Sequence, residues 1–308
     1  MNNKMIDLHI HTINSDGEFT TEEILKKAQL KKLTTIAITD HNNINAYSDL
    51  DKLNIKDIYD GKIVIGTELE FVYDGKLFDM LGYGINLDIM KKSELIKKGF
   101  VHSTIETEAK ILEQLKQVCD RLGIIYSENL KITTPNYMAN DVLVDDILIH
   151  EENKKILNEM NIVDRSTFYR KHFCEASSPF YIDQTEGKWD IYYVTSLIHE
   201  AGGLCFLAHP FVYNLKDTKK TLDEIVSYGI IDGIECAHRK HTEEQIKFLI
   251  DYCNEHNLKK SCGSDFHIDS HCLGFANKGS FELNEELVSD WIDLVTTNEY
   301  NDVKAKSL

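Results

Sequence analysis

The sequence predicts an α/β fold whose parallel strands close into a barrel, and three observations point there. Short β-branched apolar runs alternate with helical patterns along most of the 308 residues. The alternation breaks once, over 94–182, and then resumes. Histidine, aspartate and glutamate recur at the ends of successive strand-like runs, where the loops of a parallel barrel meet.

The elements follow in order. "KMIDLHI" reads as the first strand, and "TTEEILKKAQLKKL" as a helix with Ile24, Leu25, Ala28 and Leu33 at helical spacing behind a Thr20 or Thr21 cap. "TTIAIT" is the second strand and "NINAYSDLDKLN" the next helix. "GKIVIGTELEF" and "KLFDMLGYGI" pair as neighbouring strands. The Lys- and Glu-rich stretch 94–182 is mostly helical in pattern, without a βα repeat. It reads as a helical subdomain inserted over the barrel mouth, with 1–93 and 183–308 forming the barrel. Two consecutive domains are the plainer alternative, disfavoured because the βα rhythm returns. "WDIYYVTSLIHEAGG" is a helix ending at glycine, followed by the strand "LCFLAH". "TKKTLDEIVSYG" is helical, "IDGIEC" is a strand, and "TEEQIKFLIDYCNEHN" is a helix with a Thr242/Gln245 capping box. "LKKSCGSD" is the last strand and "NEELVSDWIDLVTT" the closing helix.

Composition excludes several classes. With 42% hydrophobic residues the chain can bury a sizeable core. A net charge of −17 makes the bare surface repel nucleic acid and anionic membranes, so a phosphorylated ligand needs local positive charge, which bound cations supply. Seven scattered cysteines without a CxxC pair argue against a disulfide framework and a zinc ribbon, and fit a reducing cytoplasm. No long apolar stretch is present and "MIDLHIH" comes at once, so neither a membrane span nor a signal peptide is expected.

The polar residues share a position. His9 and His11 close the first strand, Asp40 and His41 follow the second, Glu68 follows the third, and Asp79 lies in the fourth. His209, then Glu235, His238 and His241, then Asp265 and His267 follow later strands. Singly each has an ordinary reading: an incidental HxH, an Asp40 helix cap, a polar "GSDFH" loop. Jointly they converge at one rim, where unpaired charges carry a large desolvation cost that divalent cations relieve. Imidazole and carboxylate suit Zn, Mn or Fe, and residues i and i+2 of a strand reach the same side.

The pieces "DLHIHTINSDG", "IAITDHNN", "IGTELE", "LGY", "GGLCFLAHP", "DGIECAHRKHTEEQ" and "GSDFH" span nearly the whole chain. Together they resemble the PHP (polymerase and histidinol phosphatase) family of metal-dependent phosphoesterases. The insertion and the "GGLCFLAHP" context resemble the branch of nucleoside monophosphate and 3′,5′-bisphosphate phosphatases and a related 5′-to-3′ exoribonuclease. The resemblance implies a distorted (β/α)7 TIM-like barrel with two or three divalent ions (Mn2+, Fe2+ or Zn2+) at its C-terminal mouth. His9, His11, Glu68 and Asp265 would hold the first ion. Glu68, Asp79 and His209 would hold the second, and Asp16, His41 and His267 the third.

Two departures stand out. The branch has histidine where this chain has Asp79, a shorter, harder, anionic ligand that favours Mn or Fe(II) over Zn. The branch's phosphate-facing arginine and histidine align with Thr134 and Asn136, so Asn136 would hydrogen-bond phosphate without charge. His241 matches a phosphate-contacting histidine, with Arg239 and His238 beside it as further substrate contacts. The implied reaction is hydrolysis of a phosphate ester by a metal-bridging hydroxide, with Glu68, Asp265 and His241 in the catalytic set. The substrate would be a small phosphomonoester, nucleotide, nucleoside bisphosphate or short RNA 5′ end. No membrane or protein partner is indicated. The competing readings are hydrolysis of a non-phosphate bond and a non-catalytic metal-binding module. The remaining histidines (150, 172, 199, 256 and 271) read as surface or capping residues.

Overall fold

The computed structural model describes residues 4–100, 104–133 and 138–296. The chain divides into two compact units, one of residues 1–100 with 187–308 and one of residues 101–186.

The first unit is built on seven strands, hydrogen-bonded in chain order. They are β1 (Ile6–Ile10), β2 (Thr35–Ile38), β3 (Lys62–Tyr73), β4 (Lys76–Tyr83), β5 (Leu204–Leu207), β6 (Gly233–His238) and β7 (Lys259–Gly263). The sheet curls into a nearly closed ring. At the seam, His11 N donates to the Phe266 carbonyl at 2.9 Å and Phe266 N to that of His9 at 3.2 Å. Asp7 ties the seam further: its buried carboxylate accepts from Ser264 N at 2.9 Å, from Ser264 Oγ, and from Gly274 N at 2.8 Å.

The sheet is not wholly parallel. β4 runs antiparallel to both β3 and β5, whereas the other neighbours are parallel. The cause is a two-residue turn, Asp74–Gly75, with φ of 48° and 70°. Two successive positive φ angles match the twist of a tight hairpin, so the chain returns at once instead of crossing over through a helix.

Side chains alternate across the strands and make two apolar layers. Ile6, Leu8, Ala37, Val64, Leu81, Tyr83, Phe206 and Cys262 fill the interior with Trp291. Ile36, Ile38, Ile63, Ile65 and Leu207 face outward onto the helices, including Ile24, Leu25 and Ala28 of Thr21–Lys31. That helix opens with a capping box between Thr20 and Glu23, and helix Glu243–Glu255 with one between Thr242 and Gln245. Helices Ile191–Glu200 and Thr218–Ser227 start on the carboxylates of Asp190 and Asp217. The closing helix expected over 284–297 is instead a 3₁₀ turn, Glu285–Val288, and a short helix, Ile292–Thr296. Between them Trp291 is wholly buried, stacked on Tyr83, with Nε1 donating to the Lys260 carbonyl at 2.7 Å.

In the second unit, helices Ile105–Leu122, Ala139–Ile149, Lys154–Glu159 and Arg165–Phe168 pack around Leu112, Leu115, Leu143, Phe168 and Phe180. The buried Glu108 carboxylate accepts from Ala139 N at 2.6 Å at the start of the second of these helices. No helix among the described residues is long and apolar enough to cross a membrane.

Candidate metal centre

Local irregularities aim the polar side chains. The β1–β2 pairing shifts register between Asp7 and Ile10. A bulge of this kind reverses which residues face inward. Leu8 therefore packs in the inner layer and Ile10 in the outer, while His9 and His11 both turn toward the mouth, their Nε2 atoms 3.0 Å apart. β7 must approach closely here, and Gly263 allows it: a Cβ there would sit 2.1 Å from His9 Cβ. Asp40 folds the next loop, accepting from Thr12 N (2.7 Å), Thr12 Oγ1 (2.8 Å) and Ser15 Oγ (2.7 Å). Asp16 lies on that loop and faces His267 Nε2 at 3.2 Å, His11 Nδ1 at 3.4 Å and His41 Nε2 at 3.8 Å. His209 and Asp265 sit at φ of 27° and 51°, the left-handed region that non-glycine residues seldom occupy.

Glu68 is the hub. One oxygen, Oε2, is 3.1 Å from His9 Nε2, 3.1 Å from His11 Nε2 and 3.3 Å from His41 Nδ1. The other, Oε1, is 3.0 Å from His209 Nε2. Glu68 lies inside β3 rather than after it, because β3 continues into the hairpin. Asp79 lies opposite Glu70 across that hairpin, with Oδ2 4.0 Å from His209 Nε2. Tyr213 holds Asp79 in place: its hydroxyl accepts from Asp79 N at 2.8 Å and lies 3.4 Å from Oδ2. Asp265 splits its carboxylate. Oδ1 turns to His9 (3.6 Å) and His11 (3.4 Å), while Oδ2 is 3.2 Å from His238 Nε2 and accepts from Arg239 Nη2 at 3.0 Å.

The structure thus gathers His9, His11, Asp16, His41, Glu68, Asp79, His209, Asp265 and His267 in overlapping sets of close ligand atoms. Asp16 and Asp265 fall in sets with His11, and His41 belongs both with Asp16 and with Glu68 and Asp79. Of the residues expected to touch substrate, His238 and Arg239 pair with Asp265. His241 is buried, with Nδ1 donating to the Cys236 carbonyl at 2.9 Å and Nε2 left without a hydrogen bond. Asn136, with Thr134, lies outside the described residues.

Glu235 is expected at the rim without an assigned role, and Tyr213 and His271 escaped the sequence reading as site residues. Glu235 lies inside β6, its Oε1 2.9 Å from His9 Nδ1. Tyr213 fixes Asp79, and His271 accepts from His267 N at 3.1 Å through Nδ1. His271 thus caps the His267 loop. His172, expected at the surface or as a cap, is buried, with Nε2 2.9 Å from the Met160 carbonyl.

The electrostatics fit a cation cluster. Burial alone would raise the Glu68 carboxyl, but the His9 and His41 imidazoles overcome it and hold it well below the usual range. Burial opposes protonation of His9, and the Glu68 and Glu235 carboxylates outweigh it, raising the imidazole well above its ordinary value. Asp79 goes the other way, pushed up to about 7 by burial and then by the Glu68 charge. Two carboxylates disfavour each other's charge, while the Nε2 atoms of His9 and His11 crowd within 3.0 Å of each other and both face one oxygen of Glu68. His209 Nδ1 is also buried without a hydrogen bond. Divalent cations bound by nitrogen and oxygen resolve all these conflicts at once. A further group of close ligand atoms, His199 with Cys205 and Asp232, does not share this character: Asp232 accepts from Cys205 N at 2.8 Å, and burial keeps the Cys205 thiol well above its ordinary pKa.

Comparison with known proteins agrees with this geometry. A family model described as "PHP domain" matches residues 7–302. A 5′-3′ exoribonuclease of Haemophilus influenzae is 25% identical over 296 residues, covering 94% of this chain and 98% of the relative. A 3′,5′-nucleoside bisphosphate phosphatase of Chromobacterium violaceum is 22% identical over 270 residues, covering 85% and 87%. Among solved structures, an amidohydrolase from Chromobacterium violaceum with bound sulfate and no metal has a TM-score of 0.62 at 20% identity. That match covers 92% of this chain and 93% of the other, and at such identity it speaks to the fold alone.

Proposed function

Because this chain belongs to the PHP domain family, we propose that it is a metal-dependent phosphoesterase acting on a nucleotide, a nucleoside bisphosphate or the 5′ end of a short RNA. The relatives named as an exoribonuclease and a bisphosphate phosphatase support that substrate class. The observation that carries the reading is Glu68, a fully buried carboxylate ringed by the nitrogens of four histidines.

His9, His11, Glu68 and Asp265 would hold one ion. Glu68, Asp79 and His209 would hold a second, and Asp16, His41 and His267 a third. Mn2+, Fe2+ and Zn2+ all suit this nitrogen and oxygen set, and the carboxylate at Asp79 favours Mn2+ or Fe2+. Bound there, such cations supply Lewis-acid polarisation of phosphoryl oxygens and lower the pKa of water.

The chain's own residues orient and exchange protons. Glu68 offers each oxygen to a different group of ligands. His238 and Arg239 occupy Asp265 Oδ2 and so keep Oδ1 turned inward. Arg239 retains further N–H donors for an anion. His241 donates Nδ1–H to a carbonyl, so Nε2 is the atom available to a phosphate or leaving oxygen. Burial pushes its pKa down to about 4, so it is neutral at neutral pH and gains a proton only beside added negative charge. A bound phosphate ester brings that charge, and protonated His241 can then return the proton to the leaving oxygen.

The test is a panel of nucleoside monophosphates, 3′,5′-bisphosphates, 5′-phosphorylated RNA oligomers and amides. Metal-stripped protein is resupplied with Mn2+, Fe2+ or Zn2+. Ester cleavage restored by at least one ion is expected. In Glu68→Gln it should fall by well over ~100-fold, the upper end of the cost of losing a mere outer-sphere partner. Cleavage of amides alone, or no cleavage with any ion, would overturn the reading.

A further inference from the structure

Glu235 accounts for neither the ligand sets nor the expected substrate contacts, yet it is completely buried inside the barrel. Its two oxygens are committed to different strands. Oε1 accepts from His9 Nδ1 at 2.9 Å and Oε2 from the backbone N of His209 at 2.9 Å. β6 and β1 are separated by β7, so the contact to His9 reaches past a whole strand. Gly263 of β7, with no side chain, leaves the space in which His9 sits.

Resting on the metal-dependent reading above, we propose that Glu235 is a positioning residue that sets the tautomer of His9 and pins the backbone of His209. With Nδ1–H donated to Glu235, His9 presents the lone pair of Nε2 to the mouth, where His11 Nε2, Glu68 Oε2 and Asp265 Oδ1 converge. A ring with the opposite tautomer would offer a proton where a ligand is needed. At His209 the contact does something different. That residue holds φ of 27°, and the Glu235 oxygen on its N–H secures the conformation that places Nε2 3.0 Å from Glu68 Oε1. One carboxylate therefore orients two ligands that serve two different ion sites. Its oxygens fall in none of the close sets of ligand atoms, so it acts on the ions through the ligands it orients.

The experiment compares wild type, Glu235→Gln and Glu235→Ala as full-length, metal-stripped protein. Calorimetric titration with Mn2+ and with Zn2+ gives the affinities. Two-bond 1H–15N spectra of histidine-labelled protein reloaded with Zn2+, in which His9 is not an imidazolium, give its tautomer, with His9→Ala supplying the assignment. The proposal expects wild-type His9 as the Nδ1–H form and metal affinity falling by about 10–100-fold in Glu235→Ala. Glu235→Gln should fall between, since its amide oxygen can serve one donor only, and it covers the case of an alanine variant that fails to fold. Wild-type binding with unchanged affinity in Glu235→Gln, or a wild-type His9 in the Nε2–H form, would overturn this inference and leave the phosphoesterase reading standing. A wild type that takes up no ion would overturn both.

Discussion

Asp7 and Glu68 are both fully buried carboxylates of the same barrel, and they are satisfied in opposite ways. Asp7 accepts from the N–H groups of Ser264, Gly274 and His9 and from the Ser264 hydroxyl. Those donors are fixed and keep their protons at any ordinary pH. Glu68 faces imidazole nitrogens, whose protons come and go. A buried acid answered by backbone donors is scaffolding that closes a seam. A buried acid answered by titratable rings is an arrangement waiting for a cation.

That contrast can be broken by exchanging what each acid depends on. The largest expected effect is metal removal. Dialysis against a chelator should abolish ester cleavage while the seam at Asp7, and hence circular dichroism in the far ultraviolet, stays as before. Next comes Asp7→Ala, which strands several buried donors. It should cost about 3 kcal/mol or more in urea unfolding of the metal-free protein. Retained turnover per folded molecule would mark Asp7 as structural, and loss of turnover without loss of stability would erase the distinction. The smaller effect is in pH. Burial raises the Asp7 carboxyl to about 6, above its unfolded value near 3.8, despite the Ser264 and Gly274 hydrogen bonds. The folded state then binds the extra proton, so Asp7 contributes full stability below pH ~4 and loses about 2–3 kcal/mol as pH rises through 6. Unfolding free energies from pH 4 to 7 should fall more steeply for wild-type apoprotein than for Asp7→Asn. The smallest is Tyr213→Phe, which removes the hydroxyl beside Asp79. It should lower stability by about 1 kcal/mol and reduce the ion stoichiometry measured by elemental analysis.

Much of this was legible in the sequence. The alternating runs predict the barrel, and the strand-end positions of His9, His11, His41, His209 and Asp265 bring them to one mouth because parallel strands share a direction. Both capping-box and threonine-cap signals at Thr20 and Thr242 correspond to real helix starts. The pairing of β3 with β4 was also legible, but pairing alone does not state direction, and β4 runs antiparallel to its neighbour. Other features depend on three-dimensional neighbours that no spacing encodes. Glu235 and Tyr213 act through partners 226 and 134 residues away in sequence. Arg239 and His238 lie beside His241 in sequence, but their partner, Asp265, arrives from the next strand. Trp291 breaks the last helix because the barrel floor needs its bulk, a demand invisible in a local helical pattern.

The β3–β4 hairpin gives the chemistry an unusual order of assembly. Glu68 and Asp79 stand on one face of a local ribbon whose turn needs only Asp74 and Gly75. Short-range ribbons zip in microseconds, well before distant strands meet. The two acids can therefore be set side by side while His9 and His209 are still far off in an open chain. Their mutual repulsion is borne during folding by a piece small enough to shed it into water, and it is locked in only when the imidazoles arrive. Lengthening the turn by one residue would rotate Asp79 to the outer face, and the centre would lose an acid before the barrel had begun to close.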